Sequence, residues 1–127
     1  MDYIGIPFKD HGRTRDGADC WGLVRIWQKE QRGIDLPSYD DQYESVKKYN
    51  QLCATVEYEA ENWTPVTPGD EKLGDVIVIR MRGIPVHVGI VLGGGKFLHV
   101  YEGIDSVIES YVSTRWIDKI TGFYRHG

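Results

Sequence analysis

One cysteine and two histidines carry most of the chemistry this sequence can offer. Cys20 stands where a glycine-bounded loop, residues 12–17, gives way to an apolar run, in Asp19-Cys20-Trp21-Gly22-Leu23-Val24. Leu23, Val24, Ile26 and Trp27 recur at helical spacing, which predicts an amphipathic helix over about 20–32. Asp19 fits as its N-cap or first-turn acid, and Gln31-Arg32-Gly33 closes it with a cation and a helix-stopping glycine. A cysteine in the first turn meets free backbone N–H groups and the positive end of the helix dipole, which favour the nucleophilic thiolate. Taken alone, such a cysteine is more often a small buried residue that starts a core helix.

His87 and His99 lie in two apolar runs joined by Gly93-Gly94-Gly95. With a three-residue loop, Leu92 pairs with Lys96, His87 with Tyr101 and His99 with Gly89. Both histidines then share one strand face on a diagonal, within reach of each other, and Val88, Ile90, Leu98 and Val100 share the other. A four-residue loop would send the two histidines to opposite faces. Gly89, opposite His99, is expected to leave room above the sheet for the helix start that carries Cys20. The chemistry this implies is nucleophilic. Cys20 is the nucleophile, His87 the general base, and His99 the group that orients and charges the His87 ring; helix-start N–H groups would hold an oxyanion. Two readings compete: polar residues on a half-exposed strand, and a mononuclear metal site, whose ligands normally have tighter local spacing. No metal and no cofactor are expected. His11 and His126 sit in polar, terminal settings and read as surface residues.

The elements that must position these groups follow from the rest of the chain. Residues 1–19 read as loop with one short helical turn, with Pro7 biasing Ile6 away from helix. A second helix is predicted over 41 to about 53, capped by Asp40 or Asp41, with Tyr43, Val46, Tyr49 and Cys53 on its apolar face. Cys53 therefore reads as core. Residues 64–70, Thr-Pro-Val-Thr-Pro-Gly-Asp, form a turn-rich connector. Strands are expected over 76–81, 86–92, 97–101, 106–112 and 119–125. Helices first and strands after predict an α+β domain with an antiparallel sheet.

The composition narrows the field. The chain has 127 residues, one domain's worth, with 41% hydrophobic and 27% charged residues, enough to bury a core. The formal net charge is −4 and no Lys/Arg cluster occurs, so nucleic acid is not an indicated partner. Two cysteines without a CxxC pattern give no structural zinc signature, and nothing in the sequence supports a disulfide between them. A reduced, cytosolic history is the simpler expectation. The N-terminus lacks the basic and apolar regions of a signal peptide, and no apolar segment approaches spanning length, so membrane insertion is not expected.

Four segments together resemble a known family. Cys20-Trp21-Gly22-Leu23-Val24 after Asp19, then Leu73-Gly74-Asp75-Val76, then His87-Val88-Gly89-Ile90-Val91-Leu92-Gly93, then Phe97-Leu98-His99 are similar to the NlpC/P60 cysteine peptidases. The Cys-Trp-Gly-Leu-Val variant, the Gly12–Gly17 loop and the closing Gly122-Phe123-Tyr124-Arg125 are similar to the NlpC/P60 proteins of phage tail tips. The resemblance spans nearly all of residues 1–127, read as a single domain. It implies a papain-like α+β fold, N-terminal helices packed on a five- or six-stranded antiparallel sheet. It implies hydrolysis of peptidoglycan stem peptides, commonly the γ-D-glutamyl to diamino-acid bond, with Cys20 as nucleophile, His87 as base and His99 as third residue. It also implies a phage or prophage tail as the destination, with other tail proteins as partners. Many members carry a tyrosine twelve residues before the cysteine, where this chain has Phe8. Phe8, Asp19, Trp21 and Tyr101 are the expected substrate-side residues, with Trp21 equally readable as helix packing. The alternatives are an idle tail-tip module of the same fold, and a cysteine amidase or acyltransferase.

Overall fold

A computed structural model describes residues 3–37, 63–81 and 84–126. The predicted second helix and Cys53 lie outside the described residues. The expected helical turn near the N-terminus is replaced by a small hairpin, β1 (Arg13–Thr14) and β2 (Gly17–Ala18). Helix α1 spans Cys20–Arg32, the predicted bounds. Asp19 caps it, its Oδ1 accepting from the Gly22 N–H at 2.8 Å. Gly33 ends it at φ 66°, a conformation that costs glycine little, with its N–H turned back to the Gln28 and Lys29 carbonyls.

Six strands follow: β3 (Trp63–Val66), β4 (Val76–Met81), β5 (Ile84–Gly93), β6 (Lys96–Tyr101), β7 (Ile104–Ser110) and β8 (Ile120–His126). They form one antiparallel sheet in the order β3-β8-β4-β5-β6-β7. The expected α+β architecture, helix on antiparallel sheet, is the one observed. β3 replaces half of the expected connector. It is an edge strand, so Pro65 gives up no needed ladder donor, and the residues that read as turn conceal a strand anchored by buried Trp63.

The glycine hairpin differs in detail from its expected form. Gly93 pairs with Lys96, leaving a two-residue turn at Gly94 and Gly95, both at positive φ (64° and 76°). A bulge between Val91 and Gly93 compensates, so Ile90 still faces Leu98 and Val91 faces Phe97. The ladder stops there, and the expected His87–Tyr101 and Gly89–His99 pairs are not formed.

The two sheet faces are covered by different parts of the chain. Val76, Val88, Ile90, Leu98 and Val100 pack against Trp21, Leu23, Val24 and Trp27 of α1. Burying a side chain such as Leu23 or Val24 contributes about 1.5–3 kcal/mol. The opposite face carries Ile77, Ile79, Val91, Phe97 and Phe123, and lies under Tyr111 and Trp116 from the β7–β8 crossover. His87 and His99 belong to this second face by strand alternation. The expectation that α1 sits above the histidines is therefore corrected. The apolar stripe of α1 needs the aliphatic face, and the His99 imidazole is covered instead by Trp116, with ring centroids 5.3 Å apart. The space expected beside Gly89 is also filled. A Cβ there would come within 2.9 Å of the Phe97 ring and 3.3 Å of the His99 Cβ.

Candidate active site

The helix start is built by the hairpin before it. A Cβ on Gly22 would lie 2.0 Å from the Gly12 carbonyl oxygen, so only glycine lets β1–β2 rest on the first turn of α1. Arg13 Nη1 donates to Asp19 Oδ1 at 2.8 Å and the His11 N–H to Asp19 Oδ2 at 3.1 Å. Asp19 is wholly buried and both its oxygens serve protein donors. Trp21 is also buried, its indole N–H donating to the Pro37 carbonyl at 2.9 Å, so it packs the helix start and reaches the cleft only from behind.

Cys20 is 2% exposed. The Val91 N–H points to β4, donating to Asp75 O at 2.8 Å, so by alternation the Val88 N–H points towards β6, where the ladder has ended. That N–H, together with the Trp21 N–H, hydrogen-bonds the Cys20 sulfur. Val88 directly follows His87, so the sulfur sits against the peptide that carries the second candidate residue. The expected thiolate is corrected by this burial. Desolvation pushes the Cys20 thiol up to about 12, the Asp19 charge adds to the rise, and the two N–H groups oppose it.

The histidines form a chain. His87 Nε2 lies 2.9 Å from His99 Nδ1, and His99 Nε2 lies 2.5 Å from Glu109 Oε2. Both histidines are fully buried. His87 Nδ1 is buried with no hydrogen-bond partner among the described residues. Burial holds His87 well below the usual imidazole range, and a charge on His99 would lower it further. Burial also brings His99 down to about 3, with Arg115 adding. The Glu109 carboxylate pulls the other way, and Arg115 Nη1, 3.5 Å from Glu109 Oε1, blunts that pull. Burial thus favours the neutral form of the Cys20 thiol and of both imidazoles.

Sequence reasoning missed Glu109, because a register shift in the β6–β7 pairing between His99 and Tyr101 decides its face. Tyr101 lies on the histidine face, its ring centroid 6.0 Å from His87 and 5.4 Å from His99, and its hydroxyl accepts from Arg115 Nη2 at 2.6 Å. Phe8 is half-buried, bridged to Ala18 and packed against the cluster that holds Cys20. A cavity of about 470 Å³ beside Ile4, Tyr101, Glu109 and Arg115 opens this side to solvent. A second of about 480 Å³, between the hairpin and the outer side of α1, holds none of Cys20, His87 and His99. Among the described residues, no group of three or more His, Cys, Asp or Glu side chains is arranged to hold a metal ion.

Residues 5–125, the span that holds these parts, match the model of the NlpC/P60 family. The chain belongs to the NlpC/P60 family. It is 26% identical over 117 residues to murein DD-endopeptidase MepS/murein LD-carboxypeptidase of Escherichia coli K12, covering 91% of this chain and 53% of that one. It is 31% identical over 101 residues to murein DD-endopeptidase MepH of the same organism, covering 77% of this chain and 32% of that one. The chain thus spans about half the length of MepS and a third of MepH. Among solved structures, the NlpC/P60 domain of the peptidoglycan hydrolase SagA superposes with a TM-score of 0.64 at 25% identity, covering 98% of this chain and 90% of that one.

Proposed function

We propose that this chain is a cysteine endopeptidase that hydrolyses the stem peptides of peptidoglycan. The observation that carries the reading is His87 Nδ1, a buried ring nitrogen with no partner among the described residues, on the residue whose following amide holds the Cys20 sulfur. In the proposed reaction His87 Nδ1 takes the Cys20 proton as the sulfur bonds to the scissile carbonyl carbon. The carbonyl oxygen becomes an oxyanion. Of the first N–H groups of α1, that of Gly22 is taken by Asp19 Oδ1 and that of Leu23 by Asp19 O, while the Cys20 N–H is uncommitted among the described residues. The C–N bond then breaks, the amine leaves with the proton from His87, and a thioester remains. Water attacks the thioester, gives one proton to His87, and releases the acid as the proton returns to sulfur. His99 holds the ring of the base. Tyr101 and Phe8 line the substrate side, and Trp21 and Asp19 shape it from behind.

The γ-D-glutamyl to diamino-acid bond is the first bond to test, because the family resemblance implies it. The peptide cross-link is the second, because MepS and MepH carry DD-endopeptidase names. We assign the protein to a phage or prophage tail on the likeness of residues 12–17, 20–24 and 122–125 to tail-tip members. A second reading, an idle tail module, draws support from the buried high-pKa thiol and from Phe8 in place of the tyrosine. Digestion of purified peptidoglycan of several wall types, with fragments identified by mass, separates the two. Fragments from the native protein and none from Cys20→Ala support the peptidase. No fragments from either refute it and leave the idle module.

A further inference from the structure

The geometry points to Glu109 as a positioning residue whose carboxylate fixes the tautomers of both histidines, so that His87 Nδ1 is kept free of a proton. This deepens the proposed function and rests on His87 being the base of that reaction. An ionised carboxylate only accepts, so His99 Nε2, 2.5 Å from Glu109 Oε2, must carry the hydrogen. A neutral His99 then has a lone pair on Nδ1. That lone pair, 2.9 Å from His87 Nε2, makes His87 Nε2 the donor. A neutral His87 with its hydrogen on Nε2 has its lone pair on Nδ1, the nitrogen without a partner among the described residues. The carboxylate thus sets the protonation of a nitrogen two rings away, as a carboxylate hydrogen-bonded to one ring nitrogen fixes the tautomer of the imidazole.

The surroundings leave this role to Glu109. Around the pair are Tyr101 from β6, Glu109 from β7 and Arg115 from the crossover, while Cys20 of α1 meets the Val88 N–H that follows His87. Lys119 stands over Trp116, 5.6 Å from its ring. Of these, Glu109 is the one whose carboxylate meets a ring nitrogen of the pair, Oε2 lying 2.5 Å from His99 Nε2. It is 23% exposed beside the cavity that Tyr101 and Arg115 also line, so its charge is reached from solvent while the rings are not. Arg115 Nη1 lies 3.5 Å from the other carboxylate oxygen, which steers Oε2 to His99.

The same geometry makes the isosteric variant the more damaging one. In Glu109→Gln, Arg115 takes the amide oxygen and the NH₂ group turns to His99 Nε2. His99 must then accept there, its hydrogen moves to Nδ1, His87 Nε2 becomes the acceptor, and His87 Nδ1 becomes protonated. In Glu109→Ala, water can replace the carboxylate as acceptor. The test is ¹⁵N NMR of histidine-labelled full chain, with His87 signals assigned by their loss in His87→Asn, alongside kcat/KM on a wall peptide. Native protein should show a pyridine-type Nδ1 and a pyrrole-type Nε2 on His87. Glu109→Gln should invert that pattern and lower kcat/KM by about 10²–10⁴-fold, and Glu109→Ala by only about tenfold. Adding Arg115→Ala to Glu109→Gln should return most of the loss, since the amide can then turn its oxygen to His99. A proton on His87 Nδ1 in the native protein, or an unchanged His87 pattern in Glu109→Gln, overturns the inference. If native protein gives the expected pattern yet cleaves no wall peptide, the peptidase reading fails and the assignment of Glu109 to the tautomers stands.

Discussion

Cys20 should alkylate slowly in the resting protein, and its rate should climb with pH well into the alkaline range. Burial raises its thiol from 9.0 to about 12. At a given pH below that range, this lowers the thiolate population about a thousandfold relative to an unburied thiol. At pH 8 the thiolate fraction is about 1 in 10⁴, and the rate should rise about tenfold per pH unit. The assay is iodoacetamide labelling followed by intact mass between pH 6 and 11, in a Cys53→Ser background so that one thiol is read. His87→Ala should leave the profile nearly unchanged, because the neutral ring contributes no standing charge to the thiolate. A labelling rate that plateaus with a midpoint below pH 7, and loses that plateau in His87→Ala, would refute the reasoning. It would mean that a thiolate–imidazolium pair stands at rest, and that helix dipole and imidazolium outweigh burial. On the neutral-site account, the proton moves only as substrate binds, so turnover should show a normal solvent isotope effect.

Three further outcomes follow. His87→Ala should abolish turnover on wall peptides, a loss of at least about 10²-fold, whereas His99→Asn should keep a residue of activity because an amide oxygen can still accept from His87 Nε2. Gly22→Ala forces a Cβ to 2.0 Å from the Gly12 carbonyl, so it should destabilise by about 2–3 kcal/mol, lower Tm by roughly 10 °C, and lower kcat by displacing the helix start. Burial pushes the Asp75 carboxyl up, but two hydrogen bonds from Arg125 at 2.8 Å and the Lys72 N–H outweigh it and hold it below its usual range. That stabilisation is present above the unfolded pKa and is lost as pH falls through the folded one. Arg125→Met should therefore lower Tm at pH 7, with the gap to native protein closing below about pH 4, as read by thermal melts across pH.

Local signals in the sequence were faithful where one residue type has one physical reason to be there. Asp19, the stripe of Leu23, Val24, Ile26 and Trp27, and Gly33 predicted α1 with its caps, and the apolar runs predicted five of the strands near their observed bounds. What stayed hidden depended on bulges and on long-range cover. The Glu102-Gly103 turn alone would pair Leu98 with Val107 and put Glu109 on the aliphatic face. A bulge between His99 and Tyr101 shifts the register by one, so Phe97 faces Glu109 and the carboxylate reaches His99. The bulge after Val91 worked the other way and kept the histidines together despite a shorter loop. The choice of face for α1 goes with Trp116, nearly thirty residues after His87, which covers the His99 ring and leaves the aliphatic face for the helix. Edge strand β3 was concealed because an edge tolerates the proline that elsewhere argues against a strand.

The central claim is that the Cys20 sulfur bonds to the acyl group of a wall peptide. Rapid acid quench of the protein with a stem-peptide substrate, followed by intact mass and peptide mapping, reads this directly. An adduct of the mass of the acyl fragment is expected, mapped to Cys20, absent in Cys20→Ala and accumulating when water attack is slowed at low pH. Fragment release with no adduct on Cys20, and with Cys20→Ala as fast as the native protein, would contradict it.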